Sequence, residues 1–250
     1  TEFPSETAAQ QQSAWRTVAK ESYRGRARLL VDAPPTDRPE AIADRPAQVA
    51  NELERLIGDA PSEVIAVSAY LIPTPTLTDV LRDAEARGVD VKLLTNSINS
   101  NNHLSAYAVY RNHIAELLNL GAEVHEVRAD AKDRYRYIFA PVVEKKLGLH
   151  AKYLVVDRRK VFIGSANLDP RSLRINTEIG LLVDSPSLAK ELIALTEVDF
   201  APENAWRLEN VDGSLVWSSA DTRRQTSPAE SGFQRLEAWF FAHLPIEAEM

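Results

Sequence analysis

The strongest constraint on the fold is a regular alternation of apolar runs with amphipathic helical segments between residues 62 and 127. The first run, SEVIAVSAYLIPT, is almost continuously apolar, as is typical of a strand that is buried on both faces, and VDVKLLTNS resembles it. Strands and helices are predicted, in alternation, at 62–74, 77–88, 89–97, 103–120 and 122–127. This order predicts right-handed crossovers, and hence an α/β fold with a mixed, mainly parallel sheet flanked by helices on both faces.

The rest of the chain continues the pattern on both sides. Downstream, strands are predicted at about 148–156, 160–165 and 177–185, followed by a helix at 187–200. Upstream, we expect a helix from Thr7, the strand RARLLVDAPP, a proline-rich surface loop at 37–48 and the helix QVANELERLIGDA. The C-terminal part holds one strand-like piece, SLVWSS, and one amphipathic helix, FQRLEAWFFAHL.

Composition excludes several classes of protein. With 250 residues the chain can bury a full core. It has no cysteine, which excludes disulfides and thiolate metal sites, and no group of candidate ligands has the spacing of a metal site. No apolar run approaches the roughly 20 residues that are needed to span a bilayer. The formal net charge of −7 argues against a sequence-independent nucleic-acid binder, because that class carries a basic face.

Four polar side chains are predicted to meet at the ends of two neighbouring strands. His150 and Lys152 are two residues apart in the predicted strand 148–156, so their side chains point to the same face. The turn after the next strand carries Ser165 and Asn167, which a tight backbone can bring beside them. All four groups can contact a phosphate oxygen, and the imidazole can also attack phosphorus or transfer a proton.

The spacing of these residues resembles the H-x-K-x4-D-x6-G-S-x-N signature of the phospholipase D superfamily. The matching positions are His150, Lys152, Asp157, Gly164, Ser165 and Asn167. The continuation DPRSLRINTE resembles the bacterial cardiolipin synthase branch, in which an acidic residue, here Glu178, helps to hold the catalytic site. The resemblance implies a phospholipase D half-domain that transfers phosphatidyl groups through a phosphohistidine and needs no metal or other cofactor.

The resemblance also implies a role for each residue. The implied catalytic residues are His150, Lys152, Asp157, Asn167 and Glu178, and the implied phosphate-binding residues are His150, Lys152, Ser165 and Asn167. His150 would be the nucleophile or the general acid, with the acid role favoured by tandem relatives. Ser165 would bind phosphate or position a neighbour. Asp157 is expected to serve as an ion pair or turn cap, and Glu178 either orients an imidazole or is a satisfied strand-edge carboxylate.

Only one such motif is present, whereas cardiolipin synthases carry two in one chain. None of His103, His113, His125 and His243 is followed two residues later by lysine. We therefore expect a partner, either an N-terminal half with a second motif or a second copy of the chain in a homodimer. The domains predicted on this basis are a linker between the halves (1–60), the catalytic half-domain (61–202) and a C-terminal appendage packed on it (203–250).

Three functions follow from this pattern. The first is cardiolipin-synthase-like phosphatidyl transfer by a peripheral protein on the cytoplasmic face of a membrane, with a phospholipid substrate. The second is a homodimeric phosphodiesterase or nuclease, which the negative net charge disfavours. The third is an interaction module. The segment 128–146 mixes Arg134, Tyr135, Arg136 and Tyr137 with further aromatic and basic residues, and is predicted to form a lip for lipid head groups rather than an ordinary loop.

Overall fold

A computed structural model describes residues 7–33, 48–138, 146–220 and 222–244. Ten strands form one sheet in the order β1-β7-β6-β5-β2-β3-β4-β8-β9-β10. The strands are β1 (Arg26–Val31), β2 (Glu63–Ser68), β3 (Asp90–Asn96), β4 (Glu123–Val127), β5 (Lys152–Val156), β6 (Lys160–Gly164), β7 (Ile179–Asp184), β8 (Ala205–Val211), β9 (Ser214–Ser218) and β10 (Arg223–Arg224). The α-helices are α1 (Ala8–Glu21), α2 (Gln48–Gly58), α3 (Pro75–Ala86), α4 (Leu104–Leu120), α5 (Pro186–Phe200) and α6 (Gly232–Ala242).

The α/β class is confirmed, but the expectation of a mainly parallel sheet is wrong. The pairs β2–β3 and β3–β4 are parallel, as the crossovers through α3 and α4 require. Every other strand pair among the described residues is antiparallel. The sequence pattern identified the parallel core correctly, but the strands outside that core pair antiparallel: β5 and β6 are joined by a short turn, whereas β6 and β7 pair across the longer segment 165–178.

Helices cover both faces of the sheet, and β2 shows how one strand serves both. Val64 and Ala66 belong to the large core cluster with buried residues of α2, α3, α4 and α6. The alternate residue Ile65 packs instead with Ala189 and Ile193 of α5 on the opposite face. Burial on both faces explains why this strand is almost continuously apolar in sequence.

The sheet runs through all three predicted segments, and the predicted domain boundaries stay a prediction. β1, assigned to the linker 1–60, pairs with β7 inside the sheet, and α2 is part of the main core. At the other end β8, which belongs to the predicted appendage 203–250, pairs with β4 and extends the same sheet. The predicted loop 37–48 lies almost wholly outside the described residues. Within the described ranges, no helix combines the length and apolarity that a membrane span requires.

One part of the sheet is left uncovered on the α5 face. α5 covers Val161 of β6, but farther along β6 and on the outer strands β7 and β1 the side chains on this face are aligned by the register Leu29–Leu181–Ile163. These three residues, together with Val31 and Ile179, are between 40% and 62% exposed. The result is an uncovered apolar strip that runs along the sheet edge.

Candidate active site

His150 lies immediately before β5 and not inside a strand. The predicted strand 148–156 is shorter in the structure, where β5 begins at Lys152. The cause is the buried carboxamide of Asn96, which accepts a hydrogen bond from the N–H of Leu149 at 2.9 Å and donates one to the carbonyl of the same residue at 2.8 Å. The side chain of Asn96 thus makes the two backbone hydrogen bonds to Leu149 that a neighbouring strand would otherwise make, and it fixes the backbone directly before His150.

The side chains of His150 and Lys152 are in contact. Lys152 Nζ donates to the carbonyl oxygen of His150 at 2.9 Å and lies 3.3 Å from the imidazole Nδ1. Because an ammonium group can only donate, this contact requires a neutral imidazole that carries its proton on Nε2. His150 is exposed, and within the described part of the chain its ring has no further hydrogen bond. The imidazole is therefore accessible and weakly held.

Lys152 is partly buried among carboxylates. Burial lowers the pKa of Lys152, while the nearby charges of Asp169 and Glu178 favour its ammonium form. Asp169 is itself buried, which raises its pKa, and its Oδ1 accepts a hydrogen bond from the N–H of Ser172 at 2.7 Å. Sequence reasoning did not identify Asp169. Its only signal was its position in DPRS, directly after the motif.

The side chain of Asn167 combines burial with an unpaired polar atom, as is expected for a ligand-binding group. Its side chain is buried, and Oδ1 has no hydrogen-bond partner among the described residues. Its neighbour Leu168 is anchored, because the N–H of Leu168 donates to Ser68 Oγ at 2.9 Å. Ser68 is the register partner of Lys152, so the carboxamide and the ammonium belong to the same end of the sheet. A buried polar atom without a partner is rare in folded proteins and calls for a functional explanation.

Ser165 and Glu178 form a tight pair. The hydroxyl of Ser165 donates to Glu178 Oε2 and accepts from the N–H of Ile179 at 3.0 Å. Because the hydroxyl of Ser165 already donates its proton to Glu178, it cannot donate to a phosphate at the same time. This favours a role for Ser165 in positioning Glu178 over direct phosphate binding. Glu178 also accepts from Asn176 Nδ2 at 3.1 Å, and no hydrogen bond joins it to an imidazole within the described residues. Its predicted orienting role toward an imidazole stays a prediction.

Asp32, which directly follows β1, supports Glu178, which directly precedes β7. This buried carboxylate accepts from the backbone N–H of Glu178 at 3.1 Å and from the N–H of Val49 at 3.0 Å. It therefore ties the strand that carries Glu178 to β1 and to the start of α2. Sequence reasoning missed Asp32, because it stands 146 positions away from Glu178 in the chain.

Gly164 of the motif has a structural role. It faces Gly180 in the register of β6 and β7, and a Cβ at position 164 would lie 2.6 Å from the carbonyl oxygen of Ile179. A Cβ at Gly180 would lie 2.2 Å from the ring of Phe162. The two glycines therefore permit the close strand approach that places Ser165 against Glu178.

Asp157 lies at the other end of β5, away from the imidazole. Its Oδ1 accepts hydrogen bonds from Ser62 Oγ at 2.7 Å and from the backbone N–H groups of Ser62 and Glu63, both at 3.0 Å. Its backbone has a φ of 50° in the turn between β5 and β6. This geometry agrees with the expected turn cap and gives no support to the catalytic role that the motif implies.

The predicted lip is only partly described. Arg134 to Arg136 form one short 3₁₀ turn, and Tyr135 and Tyr137 are exposed. The remaining apolar part of the segment, 139–145, lies outside the described residues. Among the described residues, no group of three or more acidic or histidine side chains could hold a metal ion. The described site thus offers an accessible imidazole, a cation and a carboxamide, which together can bind and attack a phosphodiester.

Comparison with known proteins gives an independent view of this site. The family described as "Cardiolipin synthase, PLD-like domain" matches residues 53–199. Cardiolipin synthase C of Escherichia coli K12 is 29% identical over 228 residues, which cover 88% of this chain and 47% of that protein. An uncharacterized protein of Helicobacter pylori 26695 is 31% identical over 218 residues, which cover 86% of this chain and 42% of that protein.

A solved structure shows the same fold. NucT from Helicobacter pylori superposes with a TM-score of 0.50 at 18% sequence identity, covering 70% of this chain and 94% of that chain. The chain spans less than half the length of the curated relatives that it matches. The matched segment 53–199 contains every predicted site residue.

Proposed function

The chain belongs to the cardiolipin synthase, PLD-like domain family, and we propose that it supplies one of the two half-sites of a phosphatidyltransferase of the cardiolipin synthase type. Membership makes it a phosphodiesterase or phosphatidyltransferase of the phospholipase D superfamily. The single observation that carries the proposal is the accessible His150 imidazole, which lies 3.3 Å from the ammonium of Lys152 at an end of the sheet where the carboxamide of Asn167 has an unpaired oxygen.

The proposed reaction has two steps. A histidine of one half attacks phosphorus through a ring nitrogen, the P–O bond to the first alcohol breaks, and the histidine of the other half protonates the departing oxygen. In the second step the acceptor hydroxyl gives its proton to that second histidine as its oxygen attacks phosphorus, and the P–N bond breaks. We assign the acid and base role to His150, following the tandem relatives that the motif resembles.

Substrate binding would change the contact between His150 and Lys152. While the ammonium lies against Nδ1, the neutral imidazole carries a proton on Nε2 and has no free nitrogen lone pair for attack or proton uptake. A bound phosphate would draw Lys152 to its oxygens through a charge-assisted hydrogen bond and release Nδ1, which then takes up a proton from solvent, so that His150 is the imidazolium that protonates the departing oxygen. Lys152 and Asn167 would then stabilise the phosphoryl oxygens, with Ser165 and Glu178 holding the strand ends in place.

The second half-site would come from a half-domain with its own motif. The chain covers 47% of cardiolipin synthase C, which leaves room for a second half-domain. The uncovered apolar strip ends beside the site, because Ile163 and Ile179 are the direct neighbours of Gly164 and Glu178. We propose that a half-domain with its own motif covers this strip and brings the second histidine to the substrate.

The proposed location is the cytoplasmic face of a membrane, where the protein binds peripherally. The exposed rings of Tyr135 and Tyr137, next to Arg136, support contact with lipid head groups. Arg136 also lies 5.9 Å from the ring centroid of Tyr137, so that cation and aromatic ring form one surface. Binding of vesicles with and without anionic lipid, compared for wild-type protein and Tyr135→Ala, measures this contribution.

The role of His150 is tested by changing the leaving group. When this chain is combined with a half-domain that carries a second motif, His150→Ala should nearly abolish transfer from a natural phospholipid, whose leaving alcohol needs a proton. A phosphatidyl ester of p-nitrophenol, which departs without protonation, should restore formation of the phosphohistidine on the other half. If p-nitrophenol release is also lost, His150 is the nucleophile and the assignment of roles is wrong.

A homodimeric phosphodiesterase is the second candidate, and the presence of a single motif in this chain favours it. Two copies would then pair their His150 residues across the dimer axis. Gel filtration combined with an assay on a chromogenic phosphodiester separates the two proposals. A stable dimer with turnover supports the homodimer, whereas an inactive monomer supports the half-site.

A further inference from the structure

An apolar cavity lies beside His150 on the α5 face of the sheet. Its volume is about 270 Å³, close to the lower limit of about 300 Å³ for small-molecule sites. Val67, Leu94 and Val127 form part of its wall and stand at or near the carboxyl ends of the parallel strands β2, β3 and β4. Crevices at this end of parallel strands are where ligands bind in open α/β sheets.

The polar side chains that line the cavity are already paired with partners. A polar ligand would have to break these hydrogen bonds, whereas a hydrocarbon ligand would leave them intact. The pairs are Tyr137 Oη with Asp199 Oδ1 at 2.6 Å, Tyr153 Oη with Thr196 Oγ1 at 2.8 Å, Asn204 Nδ2 with Asp133 Oδ2 at 2.9 Å, and Arg134 Nη1 with the carbonyl oxygen of Ala131 at 3.2 Å. The lining that remains available is apolar side chain, with His150 at its edge.

We propose that this cavity binds one hydrocarbon chain of the phosphodiester on which His150 acts, and this inference rests on the proposed function. The phosphate would bind at Lys152 and Asn167, and the attached chain would pass the imidazole and enter the cavity. Leu195 of α5, which is 40% exposed, lies on its lining and would close over the chain. The cavity would thus select lipid phosphodiesters over water-soluble ones with the same phosphate chemistry.

The test is binding of methyl, butyl, hexyl and octyl phosphate to this chain below their micellar concentrations, measured by titration calorimetry. Affinity should rise by about fourfold for each added methylene, which corresponds to about 0.8 kcal/mol, and should level off when the cavity is full. Leu195→Glu should flatten this dependence and leave the affinity for methyl phosphate within about twofold. Leu236→Glu, a control at an exposed leucine of α6, should behave as wild type.

Several outcomes would overturn the inference. An affinity that is independent of chain length, or no measurable binding of octyl phosphate, shows that the cavity does not bind hydrocarbon. The inference is also wrong if the affinity of Leu195→Glu depends on chain length as strongly as that of wild type. It is likewise wrong if Leu236→Glu loses this dependence as much as Leu195→Glu does. Lys152→Ala separates the proposed phosphate site from the proposed hydrocarbon site. If this variant binds methyl phosphate as wild type does and its affinity still rises with chain length, Lys152 does not bind the phosphate, but the cavity does bind the chain.

Discussion

The two ends of β5 carry parts of the same motif but differ in how their polar groups are satisfied. At the near end, His150 is exposed, and among the described residues the one hydrogen bond of its ring is to Lys152. At the far end, one oxygen of Asp157 accepts three hydrogen bonds from the start of β2. The fixed spacing between His150 and Asp157 therefore corresponds to the length of β5. The end of β5 near His150 is accessible to a ligand, whereas Asp157 at the other end stabilises the contact with β2.

The largest effect is expected from the open end. With a half-domain that carries a second motif present, His150→Ala should lower phosphatidyl transfer by about 10²–10⁴-fold, because it removes a proton-transfer group. Its melting temperature should stay within about 1 °C of wild type, since an exposed side chain with one weak contact contributes little to stability. Transfer assays and thermal unfolding of the same preparations measure both. If His150→Ala instead lowered the melting temperature strongly, His150 would have a structural role like that of Asp157, and the proposed difference between the two ends of β5 would be wrong.

Asp157→Ala should lower stability and leave the activity unchanged, the reverse of His150→Ala. Loss of the carboxylate leaves three donors without an acceptor, so the free energy of unfolding should fall by about 1–3 kcal/mol, while turnover per folded molecule is unchanged. Asp157→Asn is the matched control, because asparagine keeps the acceptor and tolerates the φ of 50°. Urea unfolding with parallel assays measures both variants. If Asp157→Ala unfolds like wild type but turns over slowly, Asp157 belongs to the catalytic end.

The buried Glu126 tests whether a perturbed pKa alone marks a functional group. Burial raises its pKa to about 8, although the indole of Trp217, which donates to Oε2 at 3.0 Å, and the hydroxyl of Tyr110 act in the opposite direction. This carboxyl lies in the core between β4 and β9, so we expect a structural role. Perturbed groups are frequent at active sites, but structural networks contain them as well.

The sign of the pH effect follows from the raised pKa. The folded state retains a proton that the unfolded state loses near pH 4.5, so the stability that Glu126 contributes is complete below pH 4.5 and is lost as pH rises through about 8. Glu126→Gln should remove this decline in unfolding free energy between pH 5 and 8 and leave transfer unchanged. An altered transfer rate in the variant at pH 6 would give Glu126 a functional role.

The smallest effect is expected for Ser165→Ala. The hydroxyl donates to Glu178 and accepts from Ile179, so its loss should weaken positioning and cost about 0.5–1.5 kcal/mol, or roughly tenfold at most in rate. Initial rates at saturating and low substrate concentration measure the change in kcat and KM. A loss as large as that of His150→Ala would place Ser165 in direct contact with the phosphate.

The sequence predicted the parallel core and the grouping of the motif residues because both depend on local patterns. Alternating apolar runs specify strands and crossover helices, and the motif brings its residues together through one hairpin. The partners that finish the site are remote in sequence. Asn96 is 53 positions from Leu149, and Asp32 is 146 positions from Glu178. No periodicity links such pairs, so these contacts could be found only in the folded structure.

The errors in the predicted fold have the same origin. Apolar runs indicate strands but not their neighbours, so the antiparallel placement of β5 beside β2, and of β1 beside β7, could not be predicted. The strand before Lys152 was predicted too long, because the apolar residues Leu147 and Leu149 pack into a core cluster with Val67 and Leu94 without joining the sheet.

The most direct measurement is the turnover of a phosphodiester by this chain alone, at a concentration where sedimentation gives its oligomeric state. An open, half-complete site predicts a monomer without detectable turnover, and transfer that appears when a half-domain with a second motif is added. A monomer that turns over the substrate by itself, with His150→Ala inactive, would show that one motif suffices and would contradict the shared site.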